Sequence, residues 1–233
     1  RATAQKMSDA GARLILCGRR KEILEAFAAT LSTPVHVLVF DVADKTAVFK
    51  AIEGLPPAFQ AIDLLINNAG NAHGFDPVQT ASLEDWDAMI DSNVKGLMYV
   101  TKAVLPQMVD RKSGHIINLG SIAGKEVYPK GSVYCSSKFA IDAFSKGLRI
   151  DLNPFGIKVT AINPGLVETE FSKVRFKGDK IADSVYKGFK ALQAEDIDDI
   201  IYFAISRPSH VNIADLLVFP TAQANSTTVK KEF

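Results

Sequence analysis

The sequence is poor in the features that mark a special environment. It has two cysteines, Cys17 and Cys135, far apart and in no metal-binding or redox spacing, which argues against a disulfide scaffold and leaves two reduced core thiols. The four histidines, His36, His73, His115 and His210, are equally dispersed, so no metal site is expected. No apolar run approaches the roughly 20 residues that cross a bilayer, and the opening residues Arg1 to Lys6 form no apolar signal core. The expectation is a cytoplasmic protein without membrane contact. Charge of one sign is also missing: 27 basic and 26 acidic residues leave a formal net charge of +1, spread along the chain, so there is no field to attract a polyanion and no nucleic-acid partner is expected. Internal repeats and low-complexity linkers are absent as well.

What is present is ordinary globular material. With 47% hydrophobic and 23% charged residues, 233 residues suffice for one α/β domain spanning 1–233 with a sizeable core. Short apolar, β-branched runs alternate with longer helical stretches, the pattern of βαβ units and a parallel sheet covered on both faces. The strand candidates are Leu14–Cys17, Val35–Phe40, Leu64–Ile66, His115–Leu119, Val159–Ile162 and Leu216–Phe219. Helical stretches are read near Glu22–Leu31, Lys45–Ile52, Leu83–Met108, Val133–Leu152 and Asp196–Ser206. After Ile162 the run Asn163-Pro164-Gly165 is expected to turn the chain out of the sheet. The polar segment Ala222–Phe233 reads as a tail, free to flex or to reach a neighbouring subunit.

The beginning is unusual. Ala4 to Ala10 read as an amphipathic helix already under way and stopped by Gly11, with no strand and no glycine-rich turn before it. A doubly wound sheet that binds a dinucleotide needs both, because backbone N–H groups of that turn hold the pyrophosphate. A first strand and its turn are therefore expected upstream of residue 1.

The strongest chemical signal is Tyr134-Cys135-Ser136-Ser137-Lys138. Tyr and Lys four residues apart on a helix share a face, and an ammonium beside a phenol, whose ordinary pKa is about 10, favours the phenolate. Such a pair could move protons, although alone it is a weak pattern common on surface helices. Ser121 follows the buried run ending at Leu119-Gly120, at the carboxyl end of a strand, where open α/β sheets bind ligands. Turn chemistry with Gly120 and Gly124 would explain it equally well in isolation. Asn67-Asn68-Ala69-Gly70 ends another strand with residues small enough for a flat ligand to approach, or simply makes an Asn-rich turn. Asn93 is a mediocre helix former inside a helical stretch. Gly18-Arg19-Arg20 ends the first visible strand without the acidic residue of an NAD-type ribose clamp. Two guanidiniums suit a phosphate there, unless they are solvated arginines opening a helix.

Together, Asn67-Asn68-Ala69-Gly70, Asn93, Ser121, Tyr134-x-x-x-Lys138 and Pro164-Gly165 resemble the short-chain dehydrogenase/reductase family in order and spacing, over nearly the whole chain. The segments Glu170–Gly178, Pro208–Asn212 and Phe219-Pro220-Thr221 resemble, within it, the NADP-dependent 3-hydroxy acid dehydrogenases, also described as serine or allo-threonine dehydrogenases. The resemblance implies a Rossmann fold, a doubly wound parallel sheet in a three-layer αβα sandwich. Tyr134 would exchange the proton with the substrate oxygen, Ser121 would hydrogen-bond that oxygen, and Lys138 would hold the nicotinamide ribose and favour the phenolate. Asn93 would position a water in a proton relay. For NADP, Arg19 and Arg20 would take the 2′-phosphate, and Asp41 and Val42 would border the adenine. Asn68, Ala69 and Gly70 would line the ribose, while Pro164, Gly165, Val167 and Thr169 would wall the nicotinamide. Arg175 is read as a carboxylate clamp for a small 3-hydroxy acid such as serine, allo-threonine or 3-hydroxyisobutyrate, with an ordinary exposed charge as the alternative. By the same resemblance, the long helices would build a homotetramer.

Two other readings stay open. One is a carbonyl reductase of bulkier ketones or aldehydes with the same machinery. The other, from a different class, is a non-catalytic nucleotide-sensing or scaffold protein, supported by the missing glycine turn and opposed by the intact Ser121, Tyr134 and Lys138.

Overall fold

The structure, a computed structural model, describes residues 1–178 and 181–232. Six parallel strands fall into two sheets. β1 (Leu14–Gly18) pairs with β2 (Val35–Val39), and β3 (Leu64–Asn67), β4 (His115–Leu119), β5 (Lys158–Pro164) and β6 (Asp215–Val218) pair in that order. Among the described residues the two sheets share no ladder. β4 and β5 are almost wholly buried, whereas β1, β2 and β3 are mostly half-buried.

Helices cover both faces. They are α1 (Ala2–Asp9), α2 (Lys21–Ala28), α3 (Lys45–Glu53), α4 (Leu83–Ile90), α5 (Leu97–Arg111), α6 (Ser132–Leu152), α7 (Phe171–Arg175), α8 (Ile181–Ser184) and α9 (Ala194–Ile205). Because side chains alternate along a strand, Ile116 joins Val104, Met108, Leu148 and Leu152 of α5 and α6 on one face, and its neighbour Ile117 joins Ile197 and Ile201 of α9 on the other. Each such isoleucine contributes roughly 1.5–3 kcal/mol by burial. The three-layer αβα arrangement expected from the strand–helix alternation is present.

The carboxyl ends of β3 and β4 meet two helices through a buried polar seam. Asn67 Nδ2 donates to Thr101 Oγ1 of α5 and to Asn118 Oδ1 of β4, both at 2.9 Å, and Asn118 Nδ2 donates to Ser145 Oγ of α6 at 2.8 Å. Every amide in the seam that is removed from water finds a partner, and the pairing fixes strands and helices in register.

Three expectations need correction. The stretch read as one helix over Leu83–Met108 is interrupted by a π-helical turn at Asp91–Gly96. Such a turn inserts one residue without breaking the run of apolar positions, so periodicity passes over it. β5 does not leave the sheet after Ile162 but runs on to Pro164, paired with β6 alone, so the missing proline N–H costs no ladder bond on the β4 side. The tail is pinned: Lys230 N donates to Ala222 O, Glu232 N to Gly188 O, and Ser226 N to the Glu126 carboxylate.

Candidate active site

The carboxyl ends of the strands carry the residues singled out by sequence. Ser121 follows β4 in extended conformation, and its Oγ accepts from Ala123 N at 3.1 Å at the start of a short turn, Ile122–Gly124. That turn lies directly on α6, since a Cβ at Gly124 would come within 2.7 Å of the Lys138 carbonyl oxygen. The close approach brings Ser121 near Tyr134 in the first turn of α6, where the serine hydroxyl favours the phenolate. One turn further along, Lys138 lies 5.9 Å from the Tyr134 ring centroid and donates to Leu119 O at 3.0 Å. Both side chains are buried, Tyr134 at 8% exposure and Lys138 at 7%.

Asn93 enters from the π-helical turn, fully buried. Its Oδ1 accepts from Asn71 N at 2.7 Å, and its Nδ2 donates to Asn71 O at 2.7 Å and to Ser137 Oγ at 3.0 Å. A Cβ at Gly70 would stand 3.1 Å from Asn93 Oδ1 and 3.7 Å from Lys138 Nζ, so the Asn68-Ala69-Gly70 segment, the π-helical turn and α6 converge on one cradle. The re-aimed backbone of a π turn explains how a residue in mid-helix reaches α6.

Charge in this cradle differs from the expectation. Burial pushes the Tyr134 phenol above its ordinary range, Tyr128 adds to the rise, and Ser121 and Arg175 pull it partly back. Lys138 is itself drawn down by burial to about 8. Desolvation therefore outweighs the Coulomb attraction expected from Lys138, and the phenol is held protonated in the protein alone. Both Lys138 and Arg175 stand against its ring, at 5.9 and 5.5 Å from the centroid.

Arg175, at the end of α7, is half-buried in aromatic rings. Its guanidinium carbon stands 4.8 Å from the Phe75 centroid, 5.4 Å from Tyr128, 5.5 Å from Tyr134 and 5.7 Å from Phe176. Nη1 donates to Tyr128 Oη at 2.9 Å, while Nε is buried without a partner, and among the described residues no carboxylate pairs with the side chain. A narrow cleft bordered by His73, Trp86, Lys130, Tyr134 and Arg175 opens beside the phenol. Tyr128 was not singled out by sequence, and no local pattern identifies it.

The remaining candidates lie further out, exposed at Arg19, Arg20, Asn68, Ala69 and Thr169 and half-buried at Asp41, Val42, Pro164, Gly165 and Val167. Arg19 reaches Asp41 at 3.3 Å and Arg20 reaches Glu170 at 3.9 Å, with both arginine side chains about two-thirds exposed at 67% and 69%. Val42 packs on Gly96, where a Cβ would come 2.7 Å from its Cγ2, so Asp41 and Val42 border the same cradle. Pro164 ends β5. Gly165 N donates to Val218 O at 2.7 Å, Val167 bridges to Leu192, and Thr169 Oγ1 accepts from Phe171 N at the entry to α7.

Residues 1–180 match the sequence model of the short chain dehydrogenase family. The chain belongs to that family. A sulfoacetaldehyde reductase of Chromohalobacter salexigens is 46% identical over 228 residues, covering 96% of this chain and 90% of the relative. An NADP-dependent 3-hydroxy acid dehydrogenase of Escherichia coli O6:H1 is 44% identical over 216 residues, covering 92% of this chain and 87% of the relative. Among solved structures, the closed form of a serine dehydrogenase complexed with NADP+ superposes with a TM-score of 0.95 at 40% identity, covering all of this chain and 94% of that one.

Proposed function

We propose that this short-chain dehydrogenase interconverts the hydroxyl of a small 3-hydroxy acid, of the serine, allo-threonine or 3-hydroxyisobutyrate kind, and its carbonyl, with NADP as cofactor. The observation that carries the reading is a buried tyrosine beside a serine, with a lysine ammonium 5.9 Å and an arginine guanidinium 5.5 Å from its ring centroid. The names of the relatives support the reaction class, the substrate class and the cofactor.

The residues fit a dinucleotide. Gly70 and Gly96 let the Asn68-Ala69-Gly70 segment, Val42 and the π-helical turn pack closely around Asn93, Lys138 carries a buried ammonium that donates to Leu119 O, and Arg19 and Arg20 present exposed guanidiniums that could exchange their ion pairs for a 2′-phosphate. Asn68 and Ala69 would line its ribose, Asp41 and Val42 its adenine, and Pro164, Gly165, Val167 and Thr169 its nicotinamide side. When bound, NADP supplies hydride acceptance and donation. The chain's own work is on the proton. Ser121 Oγ and Tyr134 Oη hold the substrate oxygen between them; in oxidation Tyr134 first passes its own proton along the Lys138 side to solvent and then takes the hydroxyl proton, and in reduction it gives its proton to the oxygen and is reprotonated by the same route. Lys138 and Asn93 connect the phenol towards solvent through a water held at Asn93. Arg175 grips the substrate carboxylate in a bidentate fork.

A second reading, reduction of an aldehyde that bears a sulfonate, is favoured by the name of one relative and by the same guanidinium, which accepts either oxyanion. The protein is further proposed to act as a single domain, in the cytoplasm, as a homotetramer. The exposed Phe139 and Ile150 on α6 would lie at a subunit contact.

An absorbance assay of the full-length protein with NADP and serine, allo-threonine, 3-hydroxyisobutyrate or a sulfonated alcohol discriminates these readings. NADPH formation is expected with the hydroxy acids, and Arg175→Ala is expected to raise their KM roughly 10- to 100-fold with a smaller change in kcat. Unaltered KM in that variant would remove the clamp, and turnover only with uncharged bulky alcohols would overturn the substrate class.

A further inference from the structure

We propose that Asn163 is a positioning residue that sets Ser121 for the reaction, and that it is itself held by an ion cluster, Lys125–Asp215, outside the substrate cleft. The proposal rests on the reading of Ser121 given above.

Asn163 is 1% exposed, one residue before the proline that ends β5. Its Oδ1 accepts from Ser121 N at 3.3 Å, and its Nδ2 donates to Asp215 Oδ1 at 3.1 Å. The neighbouring backbone is shaped around this amide, since a Cβ at Gly120 would overlap Asn163 Oδ1. Gly120 N also donates to Ile162 O at 2.8 Å, so both peptide N–H groups entering the Ser121 turn are held by the end of β5. Beyond Asn163, Lys125 Nζ bridges Asp215 Oδ2 at 2.5 Å and Asp142 Oδ1 at 2.6 Å, and Lys146 closes the second oxygen of Asp142 at 2.7 Å. Lys125 leaves the same Ile122–Gly124 turn that Ser121 begins. The turn is thus held at both ends: at Ser121 by Asn163, and at Lys125 by the two carboxylates.

An amide suits this position because one side chain must accept from a backbone N–H and donate to a carboxylate at once. Loss of the acceptor leaves the Ser121 N–H without its partner and frees the serine to rotate. A misplacement of about 1 Å in a reacting group can cost on the order of 100-fold in rate.

Steady-state kinetics of the full-length enzyme with NADP and its best hydroxy acid test the idea. Asn163→Ala is expected to lower kcat about tenfold or more, with KM for both substrates within about twofold. Placed on Ser121→Ala, the same change is expected to have no further effect on residual turnover, because the residue acts only through Ser121. Asn163→Asp sets two carboxylates against each other and is expected to lose activity, which Asp215→Asn then restores by exchanging donor and acceptor. Wild-type kcat in Asn163→Ala, an equal loss on the Ser121→Ala background, or an exchange pair no better than Asn163→Asp would each overturn the proposal. The exchange pair decides the matter if Asn163→Ala does not fold. Full turnover in Ser121→Ala alone would instead remove the reading of the site on which the proposal rests.

Discussion

The floor and the rim of the site are built on opposite principles. Tyr134, Lys138 and Asn93 are buried and Ser121 half-buried; desolvation shifts the phenol and the ammonium, and hydrogen bonds hold Asn93 and Ser121. Arg19, Arg20 and Asp41 stand in solvent, joined by ion pairs of 3.3 and 3.9 Å whose exposed partners contribute little. Proton transfer needs atoms that are already in place, so the floor carries the cost of burial. On the proposed reading, the exposed guanidiniums of the rim would exchange these weak pairs for a phosphate. Arg175 lies between the two, half-buried among aromatic rings and bonded to Tyr128, with its Nε buried without a partner.

The contrast can be broken at several points. Ser121→Ala, in the floor, is expected to lower kcat roughly 100- to 1000-fold, with NADP affinity unchanged by titration. Lys138→Met should abolish turnover yet stabilise the fold by on the order of 3 kcal/mol at pH 7, since burial depresses the lysine from 10.5 to about 8. The sign follows from proton binding. Between those values the unfolded chain binds more protons, so the destabilisation is complete below pH 8 and fades as pH rises towards 10.5. Denaturant melts should therefore separate the variant from wild type several times more at pH 7 than at pH 10. In the rim, Arg19→Ala with Arg20→Ala is expected to lower the preference for NADP over NAD roughly 10- to 100-fold while sparing kcat with saturating cofactor. The smallest effect is far from the chemistry. Buried His115, bonded to Thr160 at 2.8 Å, is depressed by desolvation from 6.5 to about 4, so the stability it allows is lost as pH falls below 6.5. His115→Gln should flatten the loss between pH 7 and pH 5 by about 1–2 kcal/mol in urea melts.

Much of the floor was legible because its signals are local. Tyr134 and Lys138 share a helix face, Ser121 ends a buried strand, and small residues follow β3. The π-helical turn that aims Asn93 was not legible, because an inserted residue leaves the apolar period almost intact. Asn163 was in view beside Pro164, but a polar residue before proline reads as turn chemistry, and its partners Ser121 and Asp215 are distant in sequence. The tail looked free for the same reason: its anchors, Gly188 and Glu126, are far along the chain. The phenol was expected to be drawn towards phenolate by a neighbouring ammonium. Burial, which no spacing reports, reverses that in the protein alone.

The whole account turns on one oxygen. In the full-length enzyme, Tyr134→Phe keeps the ring in its packing and removes only the group that exchanges the proton, so kcat should fall by about three orders of magnitude while NADP still binds. A Tyr134→Phe enzyme that oxidises hydroxy acids at the wild-type rate would contradict it outright.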